Sequence, residues 1–389
     1  MTKEQILSDL ATVNLDETIC EEIYTQCLLN QINEDDITKA LDQEKRTYYE
    51  KWKSESAHRA YRNKYTAAAS IEAFKKGIKD SANIPAISTG FKELDKILDG
   101  GLYEGLYCLG AISSLGKTTL ILQIADNLAK QGKDVLIFSL EMAKTELMAK
   151  SISRLTYQNA NGHPEYAKTM RGITTGSRYV NYSEGEKNLI ANSIEEYQTY
   201  ANRIFIHEGI GDIGINQIRS IIENHIEVTK NRPIVFIDYL QILAPYDMRA
   251  TDKQNIDKAI TELKRMSRDY KIPVIGVSSF NRESYKSGGT NLGKVSQSDF
   301  KESGAIEYSA DVLIGLEFAA AGETGYTESA EKRKNPRRIR LVVLKNRNGR
   351  AWENTEFDYY PLFNYFEESD GFTPASEADE NIFKDLKAI

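Results

Sequence analysis

The chain has 389 residues and a formal net charge of −7, from 50 Lys and Arg against 57 Asp and Glu. This length suits one large domain with a smaller one. The acidic balance argues against a broad surface that coats nucleic acid, but it still allows a narrow basic channel. There is no apolar run of membrane-spanning length and no signal-peptide architecture at the first residues, so we expect a cytoplasmic protein without a membrane partner.

The three cysteines, Cys20, Cys27 and Cys108, do not have the spacing of a metal site. A disulfide between Cys20 and Cys27 is disfavoured in a reducing cytosol. Cys108 lies in an apolar run that predicts a strand, and we expect it to be buried as a small apolar residue.

The N-terminal part of the chain is predicted to be helical. Apolar residues at helical spacing over residues 1–42 predict a small domain of two or three helices. Residues 43–79 are highly charged and lack proline, which predicts one long, partly exposed helix. Its aromatic residues would need cover from its own domain or from a neighbouring subunit. A solvated linker helix and a subunit-contact helix are therefore the two interpretations of this segment.

The stretch AISSLGKTT, residues 111–119, has the pattern of a phosphate-binding loop, because an apolar strand precedes it and an apolar-periodic helix follows it. Backbone N–H groups and the helix dipole would hold the phosphates. Lys117 would place a cation on the β- and γ-phosphates, and the Thr118 hydroxyl would ligate Mg²⁺. The residues predicted to bind the nucleotide are Ser113, Ser114, Leu115, Gly116, Lys117, Thr118 and Thr119.

One position departs from the usual loop pattern. The first glycine of G-x-x-x-x-G-K-[ST] would be residue 111, which is Ala111, and Gly110 comes one place early. An alanine fits only if its φ stays negative. A chance Gly-Lys-Thr turn is the alternative, and the flanking strand and helix signals argue against it.

Strands and helices alternate after the loop, which predicts an α/β fold with a mainly parallel sheet. Further strands are predicted at residues 135–140, 204–208, 233–238, 272–280, 310–318 and 337–347. Residues 282–303 form a loop rich in Gly, Ser and Lys. Beyond Phe366 the chain is acidic, and we expect a loose tail in which IFKDLKAI is a candidate short helix.

Two carboxylates follow predicted strands, at the edge where open α/β sheets bind ligands. Asp238 ends the strand IVFID and could hold the Mg²⁺ of a bound nucleotide. Glu141 could orient and deprotonate an attacking water, or it could simply cap the following helix.

Residues 88–367 resemble the ATPase domain of DnaB-type replicative helicases, which has a RecA-like P-loop NTPase fold. The resemblance is carried by STGFKELDKILDGGL, AISSLGKTT, VLIFSLEM, FIDYLQIL, SSFNR, SDFKESGAIEYSADV and LKNRNG, in the same order and spacing. Recombinases of the RecA and RadA type and KaiC-like ATPases share the phosphate loop but resemble the other blocks less. The divergent N-terminal part suggests a phage or mobile-element variety.

This resemblance implies roles for several residues. Glu141 corresponds to the catalytic glutamate of the family. Lys345 and Arg347 correspond to residues that reach the γ-phosphate of a neighbouring subunit, although a basic strand end is the simpler interpretation. Lys301, Glu302 and Gly304 match a loop that contacts the DNA backbone, with Lys where Arg is usual. The alternative for them is a solvated, mobile loop.

The resemblance further implies a ring, most often a hexamer, that uses ATP and Mg²⁺ and acts on single-stranded DNA, with a helicase loader or a primase as partner. We divide the chain into a helical N-terminal domain (1–42), a linker helix and linker (43–87), an ATPase domain (88–367) and an acidic tail (368–389). A regulatory or loader-type ATPase without strand separation and a recombinase-type filament ATPase are the alternatives.

Two departures from the family bear on function. Where the fifth-strand motif of the family has Ser-Gln, this chain has Ser278 and Ser279. The glutamine is associated with sensing the γ-phosphate, and a serine is too short to reach as far, which puts the coupling of hydrolysis to movement in question. Residues 1–80 do not resemble the usual N-terminal domain, so primase binding by that domain cannot be carried over.

Overall fold

The computed structural model describes residues 3–30, 32–81, 86–160, 162–209, 211–280, 292–300 and 304–369. The chain divides into two compact units, Met1–Pro85 and Ala86–Ile389. Among the described residues, no helix combines the length and apolarity that a bilayer crossing requires.

The first unit is helical. Its helices are α1 (Lys3–Thr12), α2 (Glu17–Asn30), α3 (Glu34–Ala40), α4 (Gln43–Tyr65) and α5 (Ala67–Ser81). One apolar cluster joins α1 to α4, and it contains Ile6, Leu10, Cys20, Ile23, Cys27, Ile32, Ile37, Leu41, Tyr49 and Trp52. Cys20 and Cys27 are buried and free, in line with the expectation that they form no disulfide.

The prediction of one long helix over residues 43–79 was wrong, because the chain leaves the helical conformation at Thr66. Thr66 has extended backbone angles, and its N–H and hydroxyl both donate to the carbonyl of Arg62, which ends α4. The first half of α4 also packs in the cluster of the first unit, through Tyr49 and Trp52. That half is therefore part of a packed helical core.

The second unit is an α/β domain. Its strands are β1 (Gly105–Ala111), β2 (Val135–Ser139), β3 (Ile204–Glu208), β4 (Ile234–Asp238), β5 (Pro273–Ser279), β6 (Val312–Phe318), β7 (Arg337–Asn346), β8 (Asn354–Tyr360) and β9 (Tyr365–Glu368). Its helices are α6 (Lys92–Ile97), α7 (Lys117–Lys130), α8 (Lys144–Asn159), α9 (Met170–Thr174), α10 (Gly176–Tyr179), α11 (Glu184–Ala201), α12 (Ile215–Thr229), α13 (Asp252–Asp269), α14 (Gly304–Ser309) and α15 (Glu328–Glu331).

The nine strands form one sheet in the order β3-β2-β4-β5-β1-β6-β7-β8-β9. The strands from β3 to β6 are parallel, and β7, β8 and β9 continue the sheet as antiparallel neighbours. The prediction of a mainly parallel α/β sheet is confirmed. Because β1, β2, β4 and β6 are buried along their whole length, they are apolar without alternation, as central parallel strands are.

The last two strands were not predicted, and they fix the end of the domain. Gln123 of α7 donates to the carbonyl of Phe366 over 2.8 Å and accepts from its N–H over 2.9 Å. The carboxylate of Glu368 accepts from the N–H groups of Lys92 and Glu93, each over 2.8 Å, at the start of α6. Glu368 is therefore part of the folded sheet, although we placed it in the loose tail. The candidate helix IFKDLKAI lies outside the described residues.

Candidate functional site

The phosphate-type loop runs from the end of β1 to the start of α7. Gly116 precedes the helix at a φ of +90°, and a Cβ there would lie 2.8 Å from the ring of Phe366. Both facts explain a glycine at this position. Ala111 ends β1 and is not among the residues with positive φ, so the condition for an alanine there is met. Gly110 serves packing, since a Cβ on it would lie 2.2 Å from Phe280.

Lys117 is folded onto the loop that precedes it. Its Nζ donates to the carbonyls of Ala111 over 2.7 Å and Ile112 over 3.2 Å. Burial lowers the pKa of Lys117 to about 8, and the carboxylates of Asp238 and Glu141 oppose that shift. A mostly buried ammonium at the start of a helix is suited to receive an anion.

Asp238 stands across from the first turn of α7. Its Oδ2 accepts a hydrogen bond of 2.7 Å from the hydroxyl of Thr118. Burial raises the pKa of Asp238 and nearby Glu141 adds to the rise, while the bond from Thr118 opposes it. Strands β4 and β1 are parallel and are separated only by β5. Their carboxyl-terminal ends therefore lie at the same edge of the sheet, which brings Asp238 close to Thr118.

Glu141 lies just beyond β2 at the same edge. Ser139 of β2 is in register with Asp238, and the N–H of Leu140 donates to the Asp238 carbonyl over 2.9 Å. Glu141 is exposed. The carboxylates that accept from the first N–H groups of α8 belong to Glu146 and Glu208, which weakens the interpretation of Glu141 as a helix cap.

The oxygen donors at this edge fit a magnesium ion. Mg²⁺ is usually held by one or two protein oxygens together with phosphates and water, and Thr118 with Asp238 supplies such a pair. Within the described ranges there is no cluster of three or more His, Cys, Asp and Glu that could hold a metal by itself. The pair fits a metal that shares its coordination with phosphate and water.

Lys345 and Arg347 are not brought to this site. Lys345 Nζ donates to the carbonyl of Glu307 over 2.7 Å, and Arg347 lies 3.5 Å from a carboxylate oxygen of Asp311 while half of its side chain is exposed. Burial lowers the pKa of Lys345, and the charge of Arg347 lowers it further. Both residues are at the end of β7.

The register of the strands shows that this end is on the far edge of the sheet. Tyr107 of β1 aligns with Val312 of β6, which aligns with Asn346 of β7. The end of β7 is therefore level with the start of β1, whereas the phosphate-type loop follows the end of β1. Lys345 and Arg347 lie at the edge of the sheet opposite to Lys117.

Lys301 and Glu302 lie outside the described residues, and Gly304 is the first residue of α14. The pair Ser278 and Ser279 is contacted by Gln241, whose Nε2 donates to Ser278 Oγ over 3.0 Å and to the Ser279 carbonyl over 3.2 Å. The end of β5 is thus tied to the segment after β4.

Sequence reasoning missed Lys150, which α8 directs toward the same edge. Its Nζ lies 2.9 Å from Asn364 Oδ1 and 3.5 Å from Thr119 Oγ1. Burial lowers the pKa of Lys150, and the charges of Asp238, Glu146 and Glu141 oppose this. Its only sequence signal was its place on the helix that follows Glu141, which specifies no partner.

Known proteins match the second unit. The family model described as the DnaB-like helicase C-terminal domain matches residues 86–368. A probable replicative DNA helicase of Trieres chinensis is 26% identical over 266 residues, which cover 66% of this chain and 52% of that protein. The replicative DNA helicase DnaB of Haemophilus influenzae is 27% identical over 258 residues, covering 66% and 50%. The chain spans about half the length of these curated relatives.

Two solved structures share the fold. The first, an ATPase domain, has a TM-score of 0.63 at 24% identity and covers 79% of this chain and 99% of that one. The second, a DnaB-like replicative helicase solved in a study of its interactions with primase, has a TM-score of 0.65 at 20% identity and covers 92% of this chain and 88% of that one. The fold and the match over residues 86–368 agree, and the chain belongs to the family of the DnaB-like helicase C-terminal domain.

Proposed function

We propose that the protein is an ATP-dependent, ring-forming DNA helicase or translocase that acts on single-stranded DNA in replication. The observation that carries this proposal is the placement of Arg347 and Lys117 at opposite edges of one sheet. A basic residue at the far edge cannot complete its own nucleotide site, but it can complete the site of a second copy.

The nucleotide site would work through the residues at the carboxyl-terminal edge. Residues Ser113 to Thr119 supply backbone N–H groups to the phosphates, and Lys117 neutralises the β- and γ-oxygens. Thr118 and Asp238 are the oxygens that would hold Mg²⁺, which neutralises charge on the phosphates when it is bound. Glu141 accepts the proton of the attacking water.

Lys345 and Arg347 would act on the γ-phosphate of the adjacent subunit. An arginine supplied in this way is typically worth about 10³–10⁵ in rate. This makes hydrolysis depend on assembly, because within a single chain Lys345 and Arg347 lie at the opposite edge of the sheet from Lys117. A closed ring supplies one such interface to every subunit, and a hexamer is the form we propose.

The first unit also supports assembly. Helix α5 exposes Ile71 and Phe74, with 47% and 69% of their surface accessible, three residues apart on one face. Exposed apolar side chains at helical spacing are typical of a contact with another chain. This favours the subunit-contact interpretation of this part of the segment over a solvated linker.

DNA would be held by the segment with Lys301, Glu302 and Gly304, the last of which begins α14. Lys301 would contact a phosphate, which gives affinity without base information. The Gly, Ser and Lys composition of residues 282–303 suits a loop that orders on a nucleic-acid backbone. A primase or a helicase loader completes the proposed set of partners.

A regulatory ATPase that does not separate strands is the second candidate, and Ser279 is the observation that favours it. ATP hydrolysis measured with and without oligo-dT separates the two candidates, since a translocase is stimulated by DNA. The control is Lys117→Ala, which should abolish turnover because the γ-phosphate loses its cation. Particle imaging should show closed rings, whereas open filaments would favour a recombinase-type ATPase. Near-normal hydrolysis by Lys117→Ala would contradict the whole proposal.

A further inference from the structure

Arg337, the first residue of β7, contacts the phosphate-type loop of its own chain. Its NH1 donates to the carbonyl of Ser114 over 3.0 Å. The contact is long-range in sequence, and Arg337 is not part of any motif identified in the sequence. It lies at the end of β7 opposite to Lys345 and Arg347, so it is a cation on the same edge of the sheet as Lys117.

Ser114 occupies a backbone conformation that needs support. Its φ is +73°, in the left-handed region where a side chain is unfavourable and glycine is preferred. Strained residues of this kind persist only when their surroundings hold them. The hydrogen bond from Arg337 is such a restraint, because it fixes the direction of the Ser114 carbonyl.

The direction of that carbonyl matters for an anion-binding loop. Backbone N–H groups can point into the cradle only if the carbonyls of the loop point elsewhere and are satisfied there. Lys117 satisfies the carbonyls of Ala111 and Ile112, and Arg337 satisfies that of Ser114. The two cations therefore satisfy three carbonyls of the loop between them.

Arg337 is itself fixed by the fold. It is in register with Tyr359 of β8, whose ring stacks on Phe366 with 4.3 Å between the ring centres. A Cβ on Gly116 would approach both of those rings. The Nε of Arg337 is buried and has no hydrogen-bond partner among the described residues. Within that part of the chain, the guanidinium is anchored by the hydrogen bond from its NH1 to the Ser114 carbonyl.

We propose that Arg337 is a positioning residue of the nucleotide site, which holds the phosphate loop in its binding conformation through the carbonyl of Ser114. This role rests on the proposed function, because it presumes that the loop binds a nucleotide. It adds to that proposal a residue of the same chain, at the start of the strand that ends near Lys345 and Arg347. The N-terminal end of β7 then serves its own subunit, and its C-terminal end serves the neighbour.

The test measures the affinity of the full chain for a methylanthraniloyl derivative of ATP by fluorescence anisotropy. The unaltered chain is measured first, and an absence of binding there would overturn the proposed nucleotide site and this role with it. Arg337→Ala should bind about tenfold more weakly, equal to about 1.4 kcal/mol. Arg337→Lys, which keeps a donor for the carbonyl, should lie between the two. Thermal unfolding without nucleotide checks that each variant is folded.

Arg338→Ala is the matched control. Arg338 is the next residue on β7, is half exposed and pairs with Glu356 over 3.3 Å, so its loss removes the same charge from the other face of the strand. Its nucleotide affinity should stay within about twofold of the unaltered chain, as is usual for exposed ion pairs. Equal losses in Arg337→Ala and Arg338→Ala would overturn the proposal, since net charge would then explain both.

Ser114→Gly distinguishes loop positioning from direct contact with the phosphates. Glycine takes a φ of +73° without steric cost, so the restraint becomes less important. The double variant Ser114→Gly with Arg337→Ala should therefore bind only about threefold more weakly, or less, than Ser114→Gly alone. A tenfold loss in both backgrounds would overturn the positioning role and indicate that Arg337 acts on the bound phosphates through its charge. An unchanged affinity in Arg337→Ala would also overturn it.

Discussion

The hydroxyl of Thr118 and the carboxylate of Asp238 are joined by a hydrogen bond of 2.7 Å, which connects the first turn of α7 to the end of β4. Hydroxyl and carboxylate oxygens are the ligands that Mg²⁺ prefers. The same bond also keeps the pKa of Asp238 from rising as far as its burial would take it. The pair therefore places a hydroxyl oxygen and a carboxylate side by side at the sheet edge where a divalent cation would bind.

Asp238→Asn should remove the dependence of nucleotide affinity on Mg²⁺. The amide keeps the shape and can still accept from Thr118, but it lacks the charge that attracts the ion. Loss of a residue that hydrogen-bonds to a metal ligand typically costs about 10–100-fold in metal affinity. Loss of a direct ligand should cost at least as much. The measurement is ATP affinity with Mg²⁺ and with EDTA. A Mg²⁺-dependent gain in Asp238→Asn equal to that of the unaltered chain would contradict the metal role.

Nucleotide affinity should fall as pH rises past about 8, because Lys117 has a pKa of about 8 without ligand. Bound phosphate favours the charged ammonium, so the pKa of Lys117 rises on binding and a proton is taken up. Below pH 8 the lysine is already charged and affinity is flat. Above pH 8 the affinity should drop by up to about tenfold per pH unit until the pKa of the bound state is reached.

Calorimetry in two buffers with different ionisation enthalpies should detect this proton uptake at about pH 8.5. Lys117→Arg is the control, since an arginine stays charged over this range and should remove the pH dependence in whatever binding it retains. A pH-independent affinity of the unaltered chain between about pH 8 and 10 would contradict the buried, titrating lysine.

Glu141→Gln should keep nucleotide binding and lose hydrolysis, because an amide cannot accept the proton of the attacking water. General-base catalysis is typically worth about 10²–10⁴ in rate, and the loss should fall in that range. The two readouts are ATP affinity and phosphate release. Loss of binding instead of turnover would assign Glu141 a structural role.

Lys301→Ala should bind single-stranded DNA more weakly and with a shallower salt dependence. Removal of one phosphate contact should lower the slope of log affinity against log salt by about 0.7. Lys271→Ala is a suitable control, because it removes the same charge from the residues just before β5, outside the residues 282–303 that are proposed to bind DNA. Anisotropy with oligo-dT at several salt concentrations gives both slopes. An unchanged slope for Lys301→Ala would remove this loop from the DNA site.

Much of the second unit could be predicted from sequence, because parallel central strands are apolar throughout and the phosphate loop has a local pattern. The strands at the end of the domain could not be predicted in this way. In β8, buried residues alternate with half-buried ones, and such a mixed segment also suits an exposed position. The break at Thr66 was missed because no proline or glycine marks it.

The candidate site divides in the same way. Lys117, Thr118, Glu141 and Asp238 follow strands or begin a helix, so their common edge follows from the alternation of elements. Lys150 contacts Asn364 at that edge, and Arg337 contacts Ser114. In each pair the partners are more than 200 residues apart in sequence, and no rule based on sequence spacing predicts such contacts. The far-edge position of Arg347 depends on β7 being antiparallel to β6, and strand direction is not readable from apolar residues alone.

The central claim is that Arg347 of one subunit completes the nucleotide site of another, and mixing two inactive variants tests it most directly. Arg347→Ala subunits keep Glu141, and Glu141→Gln subunits keep Arg347, so a mixed ring contains interfaces with both groups intact. With random assembly from equal amounts, roughly a quarter of the interfaces should be complete. Mass in solution must first show that both variants assemble and exchange subunits. We predict that the mixture regains ATP hydrolysis that neither variant has alone, and no recovery at any ratio, with mixed assemblies present, would contradict the account.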